Sequence, residues 1–472
     1  MDNRRRQNPH LRRALNEAGW TEQQLATAVN DAGREIGATL SYDRTAVAHW
    51  LAGTWPRPPG PGLLAEVFSR RLGRAVTPAD LGLGPVSGQA TRSPAAIANS
   101  GAPLGAPQAQ PADQLPDDDV VPALVALARA QATTATATAV QPAYSLAGLA
   151  VPGWPHAGTG LPAARGAATE VTAADVLAAE RLARLFGTSE AALGGGQVRR
   201  AAAFYLAADL APKLATGARV ARRRRLLSAA TEIAYLCAFM CFDDELNGLS
   251  QRYYHVALRL AAENADQAAY AITLRGMSVQ ASVLGHRQQA RQLAEAAVVA
   301  GVRKVMPVSQ AFLSGQLAVA RAAEQDRAGA LASLAEAERS LSQATSASSA
   351  RPLIGAYNPA SLAHQRAAVQ SLLGDDQGAI AALAASITQR PRAERRSRAV
   401  TLATLGELQL NAGHLDEAIA TWHGFLDDYP HLKSARVTTA LGTLRRRVRP
   451  HARNAAARAL LQRAADLARQ SR

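Results

Sequence analysis

"LGELQLNAGHLDEAIATWHGFLDDYP", residues 405–430, carries the spacing that decides the fold of the longer part of the chain. The dipeptide Leu405-Gly406, the small residue Ala418 and Pro430 stand at set distances within two helix-favouring segments. A small side chain lets two antiparallel helices approach closely, glycine ends the first helix, and proline cannot continue the second. The stretch therefore predicts an antiparallel helix pair.

The same pattern recurs through the second half of the chain. The repeated strings occupy residues 248–261, 284–297, 324–337, 373–386 and 412–425. The small residues that open the second helix of each unit are Ser250, Ala290, Ala330, Ala379 and Ala418, at steps of 40, 40, 49 and 39 residues. Pro391 stands at the same offset from Ala379 as Pro430 from Ala418. A period in this range indicates stacked helix pairs.

This spacing resembles the tetratricopeptide consensus, with degenerate and lengthened units. The resemblance implies an α-solenoid over residues 169–450, followed by a basic C-terminal helix at 451–472. Its concave inner helices would hold a protein, a peptide or a second copy of the chain. An irregular helical bundle with accidental spacing is the alternative.

Composition points to an all-α protein with an anionic partner. Hydrophobic residues make up 48% of the chain but aromatic residues only 4%, and many of the apolar residues are alanine, which favours close-packed helices. Lys and Arg exceed Asp and Glu by 15, which favours nucleic acid before a membrane. Residues 433–472 hold eleven of these cations and one acid, Asp466. This tail is interpreted either as a polar cap of the array or as an added contact to nucleic acid or an acidic partner.

Nothing in the sequence predicts a cofactor, a metal site or a membrane segment. Cys237 and Cys241 share a helix face, but no His or Cys pair completes a metal site, so both are expected as buried hydrophobic residues in a reducing cytosol. There is no apolar run of about 18 residues or more. The arginines at positions 4–6 precede no apolar region, so no signal peptide is expected. The expected location is cytoplasmic.

Residues 85–168 are predicted to form a Pro/Gly/Ala-rich linker that is largely disordered. Residues 85–119 contain Pro, Gly, Ser, Ala and Gln with almost no large apolar side chain. Residues 120–168 alternate short apolar patches with strings such as "QATTATATA", and one short helix is expected at 120–131.

Residues 1–84 are predicted to form a separate domain of four short helices. Asn8-Pro9 begins the first helix, and Thr21 with Gln24 forms a capping box for the second. Ser41 or Asp43 caps the third, which Gly53 ends, and Pro61 opens the fourth. The string "NDAGREIGATL", residues 30–40, is expected as a link between the second and third helices.

The third helix has the features of a helix that reads DNA. Val47, Trp50 and Leu51 are expected to face inward. The positions left outside are Arg44, Thr45, Ala48 and His49. Arginine can reach guanine edges, threonine can bond bases or phosphate, and alanine permits close approach. Arg12, Arg13 and Arg57 are available for phosphates. The alternative is that Arg44 and His49 only solvate a surface helix.

Together, "WTEQQLA" and "YDRTAVAHWLAGTWPRP" resemble a lambda-repressor-like (Xre-like) helix-turn-helix. The continuations "RRLGRAVTPADLGL" (70–83) and "LGGGQVRRAAAFYL" (193–206) resemble actinomycete regulators that join this domain to a tetratricopeptide-like half. The resemblance implies control of differentiation or secondary metabolism. Two features depart from it. Glu22 stands where a phosphate-binding Gln is usual, leaving Gln23 for that role, and the link before the third helix is about ten residues longer than in the compact motif.

These observations predict a transcription regulator that binds double-stranded DNA and whose helical array binds a partner or self-associates. The alternative is an interaction scaffold whose helix-turn-helix does not read DNA. An enzyme is not expected. "LGGGQ" (193–197) lacks the Lys-Ser/Thr of a phosphate loop, and "FDDE" (242–245) is interpreted as a polar loop between paired helices.

Overall fold

The structure is a computed structural model, and it describes residues 7–83, 120–133, 142–150, 171–215, 219–301, 305–344 and 357–470. Within these ranges every regular element is helical, which confirms the all-α prediction. The chain divides into two compact units. Of the described residues, the first unit contains the N-terminal helices and residues 142–148, and the second contains residues 120–133 and those from residue 149 onward. Of the predicted linker, residues 85–119, 134–141 and 151–168 lie outside the described part of the chain.

The first unit contains four helices at the predicted places. They are α1 (Pro9–Glu17), α2 (Glu22–Glu35), α3 (Arg44–Leu51) and α4 (Gly60–Leu72). Asn8 caps α1 by accepting a hydrogen bond from the Leu11 amide, and Thr21 and Gln24 form the reciprocal capping box of α2. Asp43, rather than Ser41, caps α3. After α4, Val76, Leu81 and Leu83 fold back into the same core.

Helix α2 is longer than predicted from the sequence. Residues 30–35 of the expected link are helical, so only residues 36–43 connect α2 to α3. Ala32 and Ile36 continue the buried face, and this apolar spacing outweighs the polar residues between them. Gly33 lies inside this helix, at a place where a β-carbon would meet Leu40 Cδ1 at 2.5 Å. The glycine marks close packing, not the end of the helix.

The second unit is a succession of antiparallel helix pairs. The pairs are α9 (Val220–Asp243) with α10 (Asn247–Glu263), α11 (Gln267–Val283) with α12 (Arg287–Gly301), α13 (Pro307–Ala323) with α14 (Arg327–Ser342), α15 (Pro359–Leu372) with α16 (Asp376–Gln389), α17 (Arg395–Asn411) with α18 (Leu415–Asp428), and α19 (Ala435–Val448) with α20 (Ala455–Gln470). All five small residues identified in the repeats are buried at the junctions within the pairs. The predicted helix-pair repeat is confirmed, and the basic tail supplies a sixth pair.

One backbone feature recurs in step with the repeats. The turn inside each of the first five pairs contains a residue with positive φ, and these residues are Glu245, Gly285, Gln325, Gly374 and Gly413. Each stands five positions before the buried small residue of its pair, so both series share the 40, 40, 49 and 39 residue steps. The residue with positive φ reverses the direction of the chain. The small residue then lets the second helix of the pair pack closely on the first.

Helices ahead of the repeats complete this unit. They are α5 (Val120–Thr133), α6 (Ala173–Leu193), α7 (Gly195–Tyr205) and α8 (Ala211–Leu214), with a π-helical turn, Leu206–Leu210, between the last two. Helix α5 packs on α7 and α10, and α6 packs on both α9 and α17. Because α6 contacts the first and the fifth repeat helix pair, the array closes on itself.

The closing joint is built from the two motifs that the sequence analysis set aside. The Lys433 amide donates to the Leu193 carbonyl at 2.7 Å, and the Gly196 amide donates to the Lys433 carbonyl at 2.9 Å. The Gly195 amide donates to Asp243 Oδ2 at 3.0 Å. A β-carbon at Gly194, where φ is +86°, would lie 2.5 Å from the Lys433 carbonyl oxygen. The glycines of "LGGGQ" thus allow two backbones to meet, and "FDDE" supplies the acceptor.

Helix α9 is the core helix of the second unit. Among the described residues it is the one helix long and apolar enough to cross a membrane by length and composition, and 83% of that window is buried inside the protein. Cys237 and Cys241 are fully buried on it, as expected, and burial raises the pKa of the Cys237 thiol well above its usual value. This burial is that of a packed core helix.

Candidate nucleic-acid interface

Helix α3 separates its side chains into a buried and an exposed face. Val47, Trp50 and Leu51 are buried in the core of the first unit. The exposed residues are Arg44, Thr45, Ala48 and His49. This division of the helix agrees with the one expected from the sequence. It leaves a polar face bordered by a small residue, which a nucleic-acid groove can approach closely.

Two interactions fix the loop that leads into α3. The Asn30 side chain donates to the Tyr42 carbonyl at 2.7 Å and accepts from the Tyr42 amide at 2.8 Å. The Tyr42 ring meets Trp50 edge-on, with ring centroids 4.9 Å apart. Asp43 then accepts from the Ala46 amide at 2.9 Å to cap the helix. The first turn of α3 is therefore held by the longer α2.

The predicted phosphate contacts are exposed side chains on three other segments. Arg12 and Arg13 lie on α1, Gln23 lies in the first turn of α2, and Arg57 follows α3. Helix α1 is tied to the end of α3, because the Asn8 amide donates to the Leu51 carbonyl at 2.9 Å. Their reach to a phosphate remains a prediction.

Glu22 and Arg44 form an ion pair that joins the first turns of α2 and α3. Arg44 Nε lies 3.3 Å from Glu22 Oε2, and the two side chains are 78% and 28% exposed. The contact engages Nε, while recognition of guanine by arginine uses a fork of two N–H donors aimed at N7 and O6. The carboxylate that stands in place of the usual phosphate-binding Gln is thus partly neutralised by Arg44, the leading base-reading candidate.

Trp55 is an aromatic residue that the sequence analysis did not select. It is 52% exposed, directly after the turn that ends α3 and two residues before Arg57. A large exposed aromatic ring beside a cation suits stacking on a base or packing on a sugar. The string Trp-Pro-Arg-Pro, residues 55–58, holds both side chains, and only Arg57 is predicted from it as a contact.

A buried charged pair on α4 joins residues 142–148 to the first unit. Glu66 Oε1 accepts from Arg70 Nε at 2.8 Å, and Glu66 Oε2 accepts from the Leu146 amide at 3.1 Å. Burial raises the pKa of Glu66, and Arg70 opposes the shift. Tyr144 and Leu146 are buried beside this pair. The later residues therefore belong to the N-terminal core although α5 lies in the other unit.

The comparison with protein families concerns this unit. The family model of the SP15 N-terminal domain matches residues 11–84. The match begins inside α1 and ends after the segment that folds back on α4. No curated protein matches the chain. The matched range coincides with the unit that carries the exposed face of α3. The name of the family model does not mention a ligand.

Proposed function

We propose that the chain is a transcription regulator that binds double-stranded DNA through its N-terminal unit. The exposed face of α3 carries the proposal, because it presents Arg44 and Thr45 on a helix held rigidly by a buried core. The excess of 15 cations belongs to the whole chain, and residues 433–472 of the second unit hold eleven cations against one acid, so the general attraction to phosphate includes that unit. The proposal includes the resemblance to actinomycete Xre-like regulators and a cytoplasmic location.

The second unit supplies the regulatory half of the proposal. Stacked helix pairs present an inner surface that binds a protein, a peptide or a second copy of the chain. The alternative is an interaction scaffold without base readout, and the Glu22 carboxylate beside Arg44 is the observation that favours it.

Selection of duplexes from a random library by the full chain tests the proposal. A regulator should enrich a defined sequence and bind it at least about a thousandfold more tightly than random DNA. Arg44→Ala should reduce this preference by about 1–3 kcal/mol, because a bidentate guanine contact is lost. Arg74→Ala is the matched control, since Arg74 is an exposed arginine that pairs with Glu17.

Two other outcomes have distinct meanings. Equal weakening on all sequences would make Arg44 a phosphate contact only. A library that stays random, with no effect of Arg44→Ala, would favour the scaffold. The Arg44→Ala variant should have the same melting temperature as the wild type, since the side chain is exposed.

A further inference from the structure

Six exposed arginines surround the turn between α19 and α20. Three lie in the last turn of α19, and the other three follow in the connection and in the first turn of α20. This set, called the arginine patch, consists of Arg445, Arg446, Arg447, Arg449, Arg453 and Arg458. The sequence from 445 to 458 contains no acidic residue. The patch is therefore a local concentration of positive charge, whatever the rest of the chain carries.

The backbone of the turn brings these cations close together. Arg449 keeps helical angles, φ −51° and ψ −40°, so Arg445 and Arg449 leave the same side of the helix four positions apart. Arg458 Nη1 donates to the Ala452 and Arg453 carbonyls at 3.1 and 2.8 Å, which holds its side chain against the turn. Like charges at a spacing of four residues destabilise a helix. Folding alone does not favour this arrangement.

The helix dipoles account for only part of the patch. The C-terminal end of α19 favours the arginines of its last turn, because the dipole is negative there. Arg453 and Arg458 instead stand at the N-terminus of α20, where the dipole disfavours a cation.

Acids near the patch do not neutralise it. No arginine of the patch forms an ion pair with a residue in the described ranges. The acids at the adjoining ends of α17 and α18 are Glu407, Asp416 and Glu417. Burial raises the pKa of Glu407, and Arg447 and Arg446 oppose the shift. Glu417 Oε1 lies 3.3 Å from His414 Nδ1. Six cations thus outnumber three acids at this edge of the second unit.

The charge distribution on α20 differs from that of a simple polar cap. A cap needs polar side chains over the whole outer face of the terminal helix. Beyond the patch, Arg463 and Arg469 pair with Asp427 and Asp466. The other exposed positions there carry no charge, and they are Ala459, Gln462 and Gln470. Unpaired cations are concentrated at one edge of the last pair and not spread over its outer face.

The surface around the patch restricts the kind of partner. No large apolar or aromatic side chain is exposed between residues 433 and 470. A membrane-surface helix needs an apolar face, a protein interface needs buried anchors, and single-stranded nucleic acid needs rings for stacking. Guanidinium groups without such residues suit phosphate oxygens, which they bind through two N–H donors.

We propose that the arginine patch binds the phosphate backbone of double-stranded DNA, as a second contact carried by the second unit. Backbone contacts add affinity but no sequence preference. The inference rests on the proposed function for its choice of DNA, but it does not depend on base readout by α3.

The salt dependence of duplex binding tests the patch. Affinity of the full chain for a random duplex is measured by fluorescence anisotropy over a series of salt concentrations. Arg445→Gln, Arg449→Gln and Arg453→Gln are combined, because these side chains have no hydrogen-bond or ion-pair partner in the described part of the chain. The triple variant should flatten the slope of log affinity against log salt by about 2–3, because fewer counterions are released. It should bind at least about tenfold more weakly at about 50 mM salt.

Two further variants separate the patch from net charge. The matched control combines Arg225→Gln, Arg339→Gln and Arg366→Gln, which removes the same charge from acid-paired arginines elsewhere in the second unit. Its slope should stay within about 0.5 of the wild type, because charges away from the phosphates are screened. Replacement of the same three patch arginines by lysine should keep the wild-type slope, because the charge remains. Each variant should keep the wild-type melting temperature, since the side chains are exposed.

Several results would overturn the proposal. One is an unchanged slope in the glutamine variant of the patch, and another is an equal change in the matched control. With the DNA slope unchanged, lost binding to poly-glutamate or to phosphatidylserine vesicles would assign the patch to an acidic protein or to a membrane. Failure of base readout is a separate outcome: Arg44→Ala with full sequence preference would remove the role of α3 and leave a flattened slope of the patch variant in place. Absence of duplex binding by the wild type would overturn both.

Discussion

Glu22 and Arg44 stand 22 positions apart in the chain, yet their charged atoms lie 3.3 Å apart. The pair links two helix starts on the exposed side of the first unit. A pair in which Arg44 is exposed and Glu22 is half-buried contributes only about 0–1 kcal/mol to stability. In the proposed complex, the Glu22 carboxylate would compete with DNA for Arg44.

Glu22→Gln should raise the affinity of the full chain for random duplex DNA a few-fold, because one negative charge leaves the interface. Unfolding free energy should change by less than about 1 kcal/mol. Fluorescence anisotropy on labelled duplexes checks the affinity. Glu17→Gln is the matched control, because Glu17 pairs with exposed Arg74 at 2.8 Å. Tighter binding by both variants to the same extent would assign the effect to net charge alone.

We expect His364, whose Nδ1 lies 3.1 Å from Thr401 Oγ1, to make the stability of the second unit sensitive to acid. Burial lowers its pKa to about 4, while the unfolded side chain titrates near pH 6.5. As pH falls through about 6.5 the unfolded chain takes up a proton that the folded chain does not, so stability is lost. Between about pH 6.5 and pH 5 the loss is about 2 kcal/mol.

His364→Asn should flatten this loss, because asparagine does not titrate and can still bond Thr401. Urea unfolding at a series of pH values measures the slope. His414→Asn is the control, since His414 is an exposed histidine, and it should keep the wild-type slope. An unchanged slope in His364→Asn would assign the acid sensitivity to other groups.

At the scale of elements, the junction within each helix pair depends on one small residue. Ala418 is fully buried, and Gly406 on the facing helix is so close that a β-carbon there would meet Trp422 Nε1 at 2.5 Å. No room remains for a longer side chain at either position. The close packing of α17 on α18 therefore depends on the small size of Ala418 and Gly406.

Ala418→Arg should destabilise the second unit by at least about 3 kcal/mol, because it combines overpacking with a buried charge. Ala420→Arg places the same side chain on the exposed face of α18 and should change stability by less than about 0.5 kcal/mol. Thermal melting followed by circular dichroism compares them. Equal stability of the two variants would mean that the pair tolerates separation at this junction.

The sequence predicted these elements where a local pattern determines them. The caps Asn8 and Thr21 and the buried small residues follow from spacing along a single helix or turn. The predicted end of α2 was wrong, because Ala32 and Ile36 continue the buried apolar face although polar residues stand between them. The Glu22–Arg44 pair and the joint at Asp243 bring distant segments together, so local spacing could not reveal them.

At the scale of the whole second unit, Asp243 connects its beginning to its end. It is fully buried, accepts from the Gly195 amide at 3.0 Å and lies 3.6 Å from Arg396. In an open array a weakened end frays alone, because each unit contacts only its neighbours. Closure is instead expected to make the first and last helices unfold together, because each end of the array is packed against the other.

Asp243→Asn should cost about 3 kcal/mol, because the buried charge of Arg396 loses one partner. Native-state hydrogen exchange should speed up together in α6, α7 and α19, while α13 and α14 keep their protection. Asp375→Asn is the control, since Asp375 is an exposed helix cap and asparagine caps equally well. Faster exchange in α9 and α10 alone would show that the joint does not couple the two ends.

Closure of the array also restricts how its copy number can change. A linear repeat protein accepts the duplication or loss of a unit, because the new terminal pair needs no particular partner. Here an added or deleted pair would carry Lys433 away from Leu193 and Gly196, so the joint could not re-form. The irregular spacing of 49 residues, between Ala330 and Ala379, lies within the closed array. An insertion in a loop between helices should therefore leave the joint intact, whereas insertion or deletion of a whole pair should open it.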